Sequence, residues 1–514
     1  MLARAADPGR PWDVLIVGGG ATGLGCAIES TSRGYRTLLL DRSDFAKGTS
    51  SRSTKLVHGG VRYLQQGNVS LVLEALKERG LLRQNAPHLV HDLPFVVPNY
   101  DWWEAPFYGI GLRLYDMLAG KLGFGSSRNL TLEETLERLP TIETKGLRGG
   151  VVYHDGQFDD ARLAINLAQT AVELGGTLLN YVQVTGLLKA DGVVTGARAR
   201  ETLRGGDLEI KARVVVNATG AWSDTVRRMD DPEARAMIRP SQGVHLVLDK
   251  SFLPGDSAIM VPHTDDGRVL FAIPWYDRVV VGTTDTPVDE APLEPSPHEE
   301  EIEFLLAHTA RYLTKNPGRE DVLSTFAGIR PLVASGGEGG ETAALSRDHS
   351  LFIARSGLVT IAGGKWTTYR KMAEDTIDQA ATLAGLEERP CVTRDLRIHG
   401  FHQDARSFGE LEHYGADAPA IRDLFGERPG YEARLHPNLP LHAGEVVWAA
   451  REEMAVTVED VLARRSRALL WDARAASEVA PRVAALMAEE LGRDEAWQSD
   501  QVESFRALAL GYLP

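Results

Sequence analysis

The hydrophobic pattern of the first 41 residues predicts a strand, a helix and a second strand. Residues 14–17 form an uncharged apolar run that is short enough to be a buried parallel strand. Three glycines end this run, and small residues over 21–30 predict a helix. A second apolar strand is predicted over 37–40, and it ends at Asp41. The segment therefore has the pattern of one complete βαβ unit.

Later parts of the chain show two other patterns. Four short runs rich in valine and isoleucine, separated by Pro, Gly and Asp turns, predict a largely antiparallel sheet over 244–248, 258–261, 269–273 and 279–282. Helical periodicity follows residue 388, over 418–425, 445–453, 458–464 and 480–491. We therefore predict an α/β fold with a Rossmann-like domain, an antiparallel-sheet domain and a C-terminal helical cap domain.

Two apolar segments between these regions permit different interpretations. A helix is predicted over 69–82, with Val69, Val72, Leu73 and Leu76 on its apolar face. Residues 101–118 contain two adjacent tryptophans, a phenylalanine and two tyrosines. Such a segment suits a membrane interface or a quinone channel, but it also suits an amphipathic helix packed on its own domain.

The glycine spacing after the first strand predicts dinucleotide binding. Gly18 is expected to form the tight turn, Gly20 to let the backbone approach a pyrophosphate, and Gly23 to bring the helix close to the strand. The helix N-terminus would then face the phosphate charge. Asp41 lies 21 residues after Gly20, where an acid accepts hydrogen bonds from a ribose. This motif alone does not distinguish NAD from FAD.

Composition narrows the classes of protein and of partner. The 514 residues are 43% hydrophobic and 25% charged, which is typical of globular proteins with two or three domains. The 71 acidic residues outnumber the 56 basic ones, so we expect no nucleic-acid partner. With only Cys26 and Cys391, we predict neither a disulfide framework nor a metal site, and a reducing cytosol fits. No signal peptide and no membrane span is predicted.

Hydroxyl-rich and glycine-rich segments farther along favour FAD. Residues 49–54 supply small hydrogen-bond donors near the expected ribose and pyrophosphate. The turn Ala218-Thr219-Gly220 would let a second strand end approach the cofactor. Gly363 and Gly364 end another apolar strand, Lys365 follows, and a helix is predicted from about residue 367. A helix N-terminus and a lysine there would stabilise the negative charge of a reduced flavin, a feature that NAD chemistry does not need.

Two arginines and a histidine are candidates for substrate chemistry. Arg330 precedes Pro331 at the end of a predicted strand, and Arg347 follows a glycine loop. A guanidinium offers the planar donors that a phosphate dianion requires, although an ordinary surface arginine is the alternative for each. His58 stands on a glycine-flexible segment, and an imidazole has the pKa range of a general base.

These motifs together resemble one flavoprotein family. DVLIVGGGATG, GTSSRSTKLVHGGVRYLQQG and APHLV are followed in order by VVNATGAWSD, PSQGVHLVL, GTTDTP, AGIRPL and IAGGKWTTYRKMAEDTID. All are similar to blocks of the FAD-dependent, quinone-linked glycerol-3-phosphate dehydrogenases, which belong to the glycine/D-amino-acid-oxidase-like superfamily. The resemblance covers residues 12–385 and continues more weakly into the C-terminal helices.

The resemblance implies FAD as the cofactor and the oxidation of sn-glycerol 3-phosphate to dihydroxyacetone phosphate. In the implied reaction a base removes the proton of the C2 hydroxyl, hydride moves from C2 to flavin N5, and a membrane quinone receives the electrons. His58 is the first candidate for the base, and His245, which the family places by the active site, is the competitor.

The resemblance also assigns residues to the substrate and to the cofactor. Arg330, helped by Arg347 and Tyr63, is expected to bind the phosphate. Arg62 and Lys365 are expected to polarise the oxygen that becomes the ketone. The expected catalytic set is His58, Arg62, His245, Arg330 and Lys365, and the substrate contacts are Arg62, Tyr63, His245, Arg330, Arg347 and Lys365. The expected cofactor contacts are Gly18, Gly20, Ala21, Thr22, Gly23, Asp41, Arg42, Thr49, Ser50, Ser51, Thr54, Lys55, Leu56, His58, Val184, Ala218, Thr219, Gly220, Trp222, Gly328, Arg330, Gly363, Gly364, Lys365, Trp366 and Thr367.

The same interpretation divides the chain into six segments. Residues 1–75, 155–239 and 336–387 are assigned to the FAD-binding domain, 76–154 to a substrate or cap insertion, 240–335 to the substrate-binding sheet and 388–514 to the C-terminal helices. In the last segment, Arg464, Arg465 and Arg467 are interpreted as contacts to anionic lipid or a partner, or as a solvated helix face.

Several alternatives stay open from the sequence alone. A related oxidase would pass electrons to oxygen instead of a quinone. A flavin-binding protein without catalysis and an amine- or amino-acid-oxidising flavoprotein are the other two. A homodimer, and a peripheral position on the inner face of the plasma membrane for an otherwise cytoplasmic protein, also stay open.

Overall fold

The structure, a computed structural model, describes residues 1–7, 9–60, 68–101, 104–261, 269–334 and 349–514. Its α-helices are Leu2–Ala5, Ala21–Ser32, Val69–Asn85, Glu104–Ala119, Leu132–Arg138, Asp160–Glu173, Ser223–Asp230, Glu299–Ala310, Tyr369–Leu383, Ala418–Phe425, Ala443–Glu452, Ala468–Trp471, Ala473–Leu491 and Glu495–Leu510. Within the described ranges, no helix combines the length and the apolar character needed to cross a membrane.

The first sheet is built around the N-terminal strand. Its main strands follow the order His349–Ile353, Val359–Gly363, Asp207–Asn217, Trp12–Val17, Thr37–Leu40 and Thr177–Leu179. Neighbouring strands are parallel, except that the edge strand His349–Ile353 is antiparallel. The predicted βαβ unit is confirmed, with its helix at Ala21–Ser32.

Both faces of this sheet are covered, which explains why Trp12–Val17 is buried along its whole length. One face packs against three helices, Ala21–Ser32, Asp160–Glu173 and Tyr369–Leu383. The other face packs against the antiparallel strands Val182–Ala190 and Val193–Glu201. The side chains of residues 14–17 alternate between these two cores, as the period of a strand requires.

In the part of the chain that the structure describes, the second sheet has ten strands and is mostly antiparallel. Eight strands follow the order Thr286–Pro287, Ile238–Asp249, Arg278–Gly282, Leu270–Trp275, Ala258–Val261, Val90–Asn99, Gly149–Phe158 and Leu56–Val57. Val322–Val333 pairs with Ile238–Asp249, and Arg128–Leu130 with Gly149–Phe158. The four predicted strands are confirmed, but the sheet is larger than predicted because strands from the segment 76–154 join it. The limits of the predicted domains stay a prediction.

The chain after residue 388 forms a helical unit, and its alanine-rich core also includes Val247, Trp275, Val280 and Phe326 of the second sheet. The predicted helices over 418–425 and 445–453 are confirmed as Ala418–Phe425 and Ala443–Glu452. The prediction over 480–491 was too short, since the helix spans Ala473–Leu491 and contains Pro481. The segment 458–464 is helical as predicted, but most of it belongs to the π-helix Asp460–Arg465.

The three arginines of this unit are buried, so both sequence interpretations of them were wrong. The side chains of Arg464, Arg465 and Arg467 are at most 3% exposed. Arg464 and Arg465 form ion pairs with Asp44, and Arg467 forms one with Asp160. These carboxylates lie more than 300 residues away in the sequence, so the run of arginines carried no local sign of burial.

Residues 104–118 of the aromatic segment belong to the helix Glu104–Ala119, which has both a buried and an exposed apolar face, whereas Trp102 and Trp103 lie outside the described residues. The buried face includes Tyr108, Leu112 and Tyr115. Ile110, Leu114 and Met117 are 72%, 45% and 78% exposed. The neighbouring helix Val69–Asn85 behaves similarly: its predicted apolar face is only half buried, since Val72 and Leu76 are buried and Val69 and Leu73 are exposed.

Candidate active site

The first cavity begins at the glycine turn between the first strand and its helix. Gly18 has a φ of +108°, and a Cβ there would lie 2.6 Å from the Ala218 carbonyl oxygen. Two neighbouring parallel strands therefore end close together at this point. The backbone N–H of Ala21, in the first turn of the helix, donates to Ser50 Oγ at 2.9 Å. Both residues line the cavity, which places a helix N-terminus and hydroxyl groups at one wall.

Asp41 lies where the second strand ends, in the wall of the same cavity. Its carboxylate accepts hydrogen bonds from the backbone N–H of Gly19 at 2.6 Å and of Ser43 at 2.8 Å. Burial raises the pKa of Asp41 to about 6, although the two backbone hydrogen bonds act in the opposite direction. The carboxylate is thus ionised above about pH 6 and can accept hydrogen bonds from ribose hydroxyls.

Arg42 and Trp222 form a cation–π pair beside Asp41. The guanidinium carbon of Arg42 lies 4.5 Å from the centre of the indole ring, and both side chains line the cavity. The indole Nε1 of Trp222 donates to the Ala291 carbonyl oxygen at 2.9 Å. Gly220, two residues earlier, has a φ of +58°, and a Cβ there would meet no protein atom within 4 Å. The cavity wall at Gly220 therefore leaves space for a bound group, and the indole ring of Trp222 lies beside this space.

The far end of the first cavity lies at the second glycine turn, before the helix Tyr369–Leu383. Gly363 and Gly364 both have positive φ, and a short 3₁₀ turn over Trp366–Thr368 precedes the helix. The indole Nε1 of Trp366 donates to the Ser50 carbonyl oxygen at 2.9 Å, so this turn is joined to the hydroxyl-rich segment. Lys365 lies between the glycines and Trp366 and lines the cavity.

A second cavity continues from the first. Thr49, Pro331, Gly363, Gly364, Lys365 and Trp366 line both. The second cavity is further lined by three groups from distant parts of the chain, namely His58, His245 and Arg330. A long cofactor in the first cavity would therefore end beside two imidazoles and a guanidinium.

Arg330 is held in a fixed orientation by its surroundings. Its Nη1 lies 3.2 Å from Asp285 Oδ1 and 3.3 Å from the Gln242 carbonyl oxygen. Its Nη2 donates to Thr283 Oγ1 at 3.2 Å and to the Thr284 carbonyl oxygen at 3.0 Å. A Cβ at Gly243 would lie 2.4 Å from the guanidinium, so only glycine leaves room for it on the adjacent strand. The side chain remains 25% exposed, toward the cavity that it lines.

The two imidazoles have different environments. His245 is buried, stacks on Phe326 with a centroid distance of 4.6 Å and shares a hydrogen bond of 2.9 Å between its Nε2 and Thr54 Oγ1. Burial lowers the pKa of His245 well below 6.5, and the positive charges of Lys55 and Arg330 lower it further. His58 is only partly buried. Its backbone N–H donates to Thr367 Oγ1 at 3.2 Å, which anchors it beside the second glycine turn.

Most sequence-predicted site residues that the structure describes line one of these two cavities. Those lining the first are Gly18, Gly20, Ala21, Thr22, Asp41, Arg42, Thr49, Ser50, Val184, Ala218, Thr219, Gly220, Trp222, Gly363, Gly364, Lys365 and Trp366. Those lining the second also include Thr54, Leu56, His58, His245, Gly328, Arg330 and Thr367. Arg62, Tyr63 and Arg347 lie outside the described residues.

Three predicted cofactor contacts lie behind the cavity walls. Gly23 is buried against the first strand, where a Cβ would lie 1.8 Å from the Gly18 carbonyl oxygen. Ser51 and Lys55 are buried, and the ammonium of Lys55 donates to Asp160 and to the Ser51 carbonyl oxygen. These three residues support the cavity walls without lining either cavity.

Sequence analysis missed several lining residues. Lys47, Gln183 and Leu293 line the first cavity, and Arg52, Gly243 and Phe271 line the second. Arg52 lies inside the hydroxyl-rich run and Gly243 inside the PSQGVHLVL block, so both were close to recognised motifs. Lys47, Gln183, Leu293 and Phe271 carried no local signal.

Taken together, the residues that line the two cavities match what FAD requires of its binding site. The first cavity offers a helix N-terminus at one end for a pyrophosphate, an ionised acid for a ribose, and a second helix start with a lysine at the other end. Asp41 and Arg42 would hold the nucleotide half. Gly363, Gly364 and Lys365 would hold the flavin ring, next to the cavity with Arg330.

Two family profiles match the chain. The profile of the FAD dependent oxidoreductases matches residues 13–370. The profile of the C-terminal domain of alpha-glycerophosphate oxidase matches residues 359–498. Together the two profiles span both sheets and most of the helical unit.

Curated relatives and solved structures agree with these matches. The mitochondrial glycerol-3-phosphate dehydrogenase of Macaca fascicularis is 40% identical over 98% of this chain and 74% of its own length. A probable mitochondrial glycerol-3-phosphate dehydrogenase of Caenorhabditis elegans is 41% identical, over 97% and 73%. The glycerol-3-phosphate dehydrogenase from Bacillus halodurans complexed with FAD has a TM-score of 0.82 and 29% identity, covering 100% of this chain and 97% of that one. Reduced L-alpha-glycerophosphate oxidase from Mycoplasma pneumoniae, at 16% identity, 76% and 99% coverage and a TM-score of 0.59, shows the fold alone.

Proposed function

The chain belongs to the FAD-dependent glycerol-3-phosphate dehydrogenases and oxidises glycerol 3-phosphate, and we propose that Arg330 and His58 carry the reaction and that a quinone receives the electrons. The C2 carbon of sn-glycerol 3-phosphate loses a hydride and its hydroxyl loses a proton, which leaves dihydroxyacetone phosphate. When bound in the first cavity, FAD would supply the hydride acceptor. The observation that carries the proposal is the continuity of the cofactor cavity with a cavity lined by Arg330, His58 and His245.

Arg330 is the proposed phosphate ligand. Its guanidinium is fixed by Asp285, by the carbonyl oxygens of Gln242 and Thr284 and by Thr283 Oγ1, so little side-chain entropy would be lost on binding. The planar donors match a phosphate dianion. Arg62, Tyr63 and Arg347 stay predicted substrate contacts.

His58 is the proposed base. The pKa of His245 is held low by burial and by two neighbouring cations, so proton uptake there is disfavoured, and its Nε2 is engaged by Thr54. His58 is less buried, lies between Val57 and Gly59 at the cavity wall, and is held by Thr367 through its backbone. We propose that His245 acts as a neutral hydrogen-bonding imidazole and that Lys365 polarises the developing ketone oxygen.

The two histidine variants separate these roles. With His58→Gln we expect the rate of flavin reduction at saturating substrate to fall by about 100-fold or more and to lose its acid limb, as expected for a lost general base. His245→Gln is expected to weaken substrate binding and to keep the acid limb. The reverse pattern would assign the base to His245.

A quinone is the proposed electron acceptor because of the exposed apolar face on the helix Glu104–Ala119. Ile110, Leu114 and Met117 are spaced to lie on one side of this helix, and Val69 and Leu73 are exposed on the helix packed beside it. An amphipathic helix of this kind suits the interface of a membrane, where a quinone is dissolved. We therefore propose peripheral attachment at a membrane surface. A homodimer stays a prediction.

One anaerobic experiment tests the proposal. The purified yellow protein is mixed with sn-glycerol 3-phosphate, with glycerol or with glycine, and the bleaching of the flavin is followed. Bleaching by the phosphate ester alone supports the assignment; bleaching by glycine would instead support an amino-acid oxidase, and no bleaching would leave a flavin-binding protein. Reoxidation of the reduced protein by a short-chain quinone, faster than by oxygen, supports a dehydrogenase over an oxidase.

A further inference from the structure

A buried arginine of the C-terminal helical unit reaches the segment that separates the two cavities. Arg467 Nη2 donates to the Ser51 carbonyl oxygen at 2.9 Å and to Asp160 Oδ1 at 2.9 Å. Lys55 Nζ donates to the same two groups, at 2.9 Å to Ser51 and at 2.8–2.9 Å to the Asp160 carboxylate. Two cations from opposite ends of the chain therefore share one carbonyl and one carboxylate.

The segment between Thr49 and Lys55 contacts each functional part of the site. On the cofactor side, Ser50 Oγ accepts from the N–H of Ala21, and the Ser50 carbonyl accepts from Trp366. On the substrate side, Thr54 Oγ1 shares a hydrogen bond with His245. Ser51 lies between these contacts, and its carbonyl is the atom that Arg467 and Lys55 hold.

Asp160 also holds the segment in place, through hydrogen bonds that it accepts from Ser53. Its Oδ2 accepts from the backbone N–H of Ser53 at 3.0 Å and from Ser53 Oγ at 2.7 Å. Lys55 and Asp160 are completely buried, and Arg467 is 3% exposed. Asp159, at 3.7 Å from Arg467 Nε, is a second buried acid beside the cluster.

Both cationic residues hold backbone conformations that their surroundings must enforce. Lys55 and Arg467 each have a φ of +63°, in the left-handed region that non-glycine residues seldom adopt. Such conformations persist where neighbouring contacts over-determine them. The shared hydrogen bonds to Ser51 and Asp160 are contacts of this kind.

We propose that Arg467 is a positioning residue of the dehydrogenase reaction, through which the C-terminal helical unit sets the placement of Thr54 against His245 and of Ser50 against the cofactor helix. The proposal rests on the proposed function of the two cavities. Arg467 lines neither of the two cavities. It acts on the site through the Ser51 carbonyl and Asp160. The C-terminal unit is thereby a part of the active-site framework.

The test compares holoenzymes in anaerobic stopped-flow experiments, with rates expressed per bound FAD. For Arg467→Gln we expect the limiting rate of flavin reduction to fall by about 10- to 100-fold and substrate binding to weaken, since small displacements of reacting groups have effects of this size. Arg467→Lys is expected to recover most of the rate, because an ammonium can still reach Ser51 or Asp160. An unchanged rate and affinity in Arg467→Gln would overturn the proposal.

Glu453→Gln is the matched control. Glu453 pairs with Arg162 in another buried contact between the helical unit and the helix Asp160–Glu173, and among the described residues no hydrogen bond joins it to the segment 49–55. We expect a lower melting temperature and a limiting rate within about twofold of the wild type. An equal loss of rate in Glu453→Gln and Arg467→Gln would refute a specific role for Arg467.

A second variant keeps the test decisive if Arg467→Gln does not fold. Ser53, which also lines the second cavity, donates its hydroxyl to Asp160 and accepts from the backbone N–H of Lys55, and Ser53→Ala removes both hydrogen bonds without changing a charge. A rate loss in Ser53→Ala, together with recovery in Arg467→Lys, supports the proposal, and a wild-type rate in Ser53→Ala refutes it. Failure of the wild-type flavin to be reduced by sn-glycerol 3-phosphate would instead refute the proposed function.

Discussion

Replacing Arg330 by methionine tests phosphate recognition directly. Methionine keeps much of the apolar length of the side chain but removes the guanidinium that lines the substrate cavity. If the guanidinium makes one charge-assisted hydrogen bond to the phosphate, worth about 3 kcal/mol, about 3 kcal/mol of binding free energy is lost. This loss corresponds to binding that is about 150-fold weaker.

The substitution also removes the partner of a second charge. Asp285, whose side chain is 11% exposed, lies 3.2 Å from the Arg330 guanidinium and accepts a hydrogen bond from Ser241. We therefore expect Arg330→Met to lower the melting temperature as well. Arg330→Lys keeps a positive charge for Asp285 but offers a point charge instead of planar donors, so we expect stability close to wild type and binding about tenfold weaker.

The assay is anaerobic flavin reduction as a function of substrate concentration, with glycerol as the analogue that lacks the phosphate. The dissociation constant of sn-glycerol 3-phosphate is expected to rise in the order wild type, Arg330→Lys, Arg330→Met, and any reduction by glycerol is expected to stay unchanged. An Arg330→Met protein that retains FAD and binds the phosphate ester as tightly as the wild type would refute the assignment. An equal loss for glycerol and for the phosphate ester would also refute it.

Three further predictions address the cofactor, the pH dependence of stability and the membrane. Gly23→Ala is expected to lose nearly all bound FAD, measured by flavin absorbance, because the Cβ would lie 1.8 Å from a backbone oxygen; Gly186→Ala, where a Cβ meets no atom within 4 Å, is the control and should keep it. His399 lies between two carboxylates, which raise its pKa to about 9 although burial lowers it, so its stabilisation is present below pH 6.5 and is lost as the pH rises through about 9. His399→Gln should therefore lower the melting temperature at pH 6 but not at pH 10. Met117→Glu should weaken binding to lipid vesicles by about tenfold or more, since burial of a methionine contributes about 1.5–3 kcal/mol. Leu203→Glu changes another exposed apolar side chain and should leave vesicle binding unchanged.

Local patterns predicted the cofactor-binding end of the molecule well. The helix after the glycine turn, the strand before it and the acid at the end of the next strand depend on residues close together in the sequence. Gly18, Gly20 and Asp41 accordingly line the cavity where the motif places them. The turn at Gly363 and Gly364 was predictable for the same reason.

Long-range pairing limited the rest of the prediction. The strand Val90–Asn99 joins the second sheet through Ala258–Val261, more than 150 residues later, and no local pattern encodes such a partner. Arg464 and Arg465 looked like residues of a solvated or lipid-binding helix because their counter-ion, Asp44, lies over 400 residues away. Lys55 was predicted to contact the cofactor, whereas its ammonium is turned toward Asp160. Sequence gives the type of a charged residue but not the partner that decides its role.

The strand order of the first sheet has a consequence for biosynthesis. Trp12–Val17 lies between its neighbours, and one of them, Asp207–Asn217, leaves the ribosome about 200 residues later, or about 10–40 s at about 5–20 residues per second. During this interval one edge of the nascent strand is unpaired and apolar, which exposes it to aggregation. Residues 361–366, which complete the cofactor cavity, are made later still. FAD can therefore be bound in its final site only after most of the chain has been synthesised.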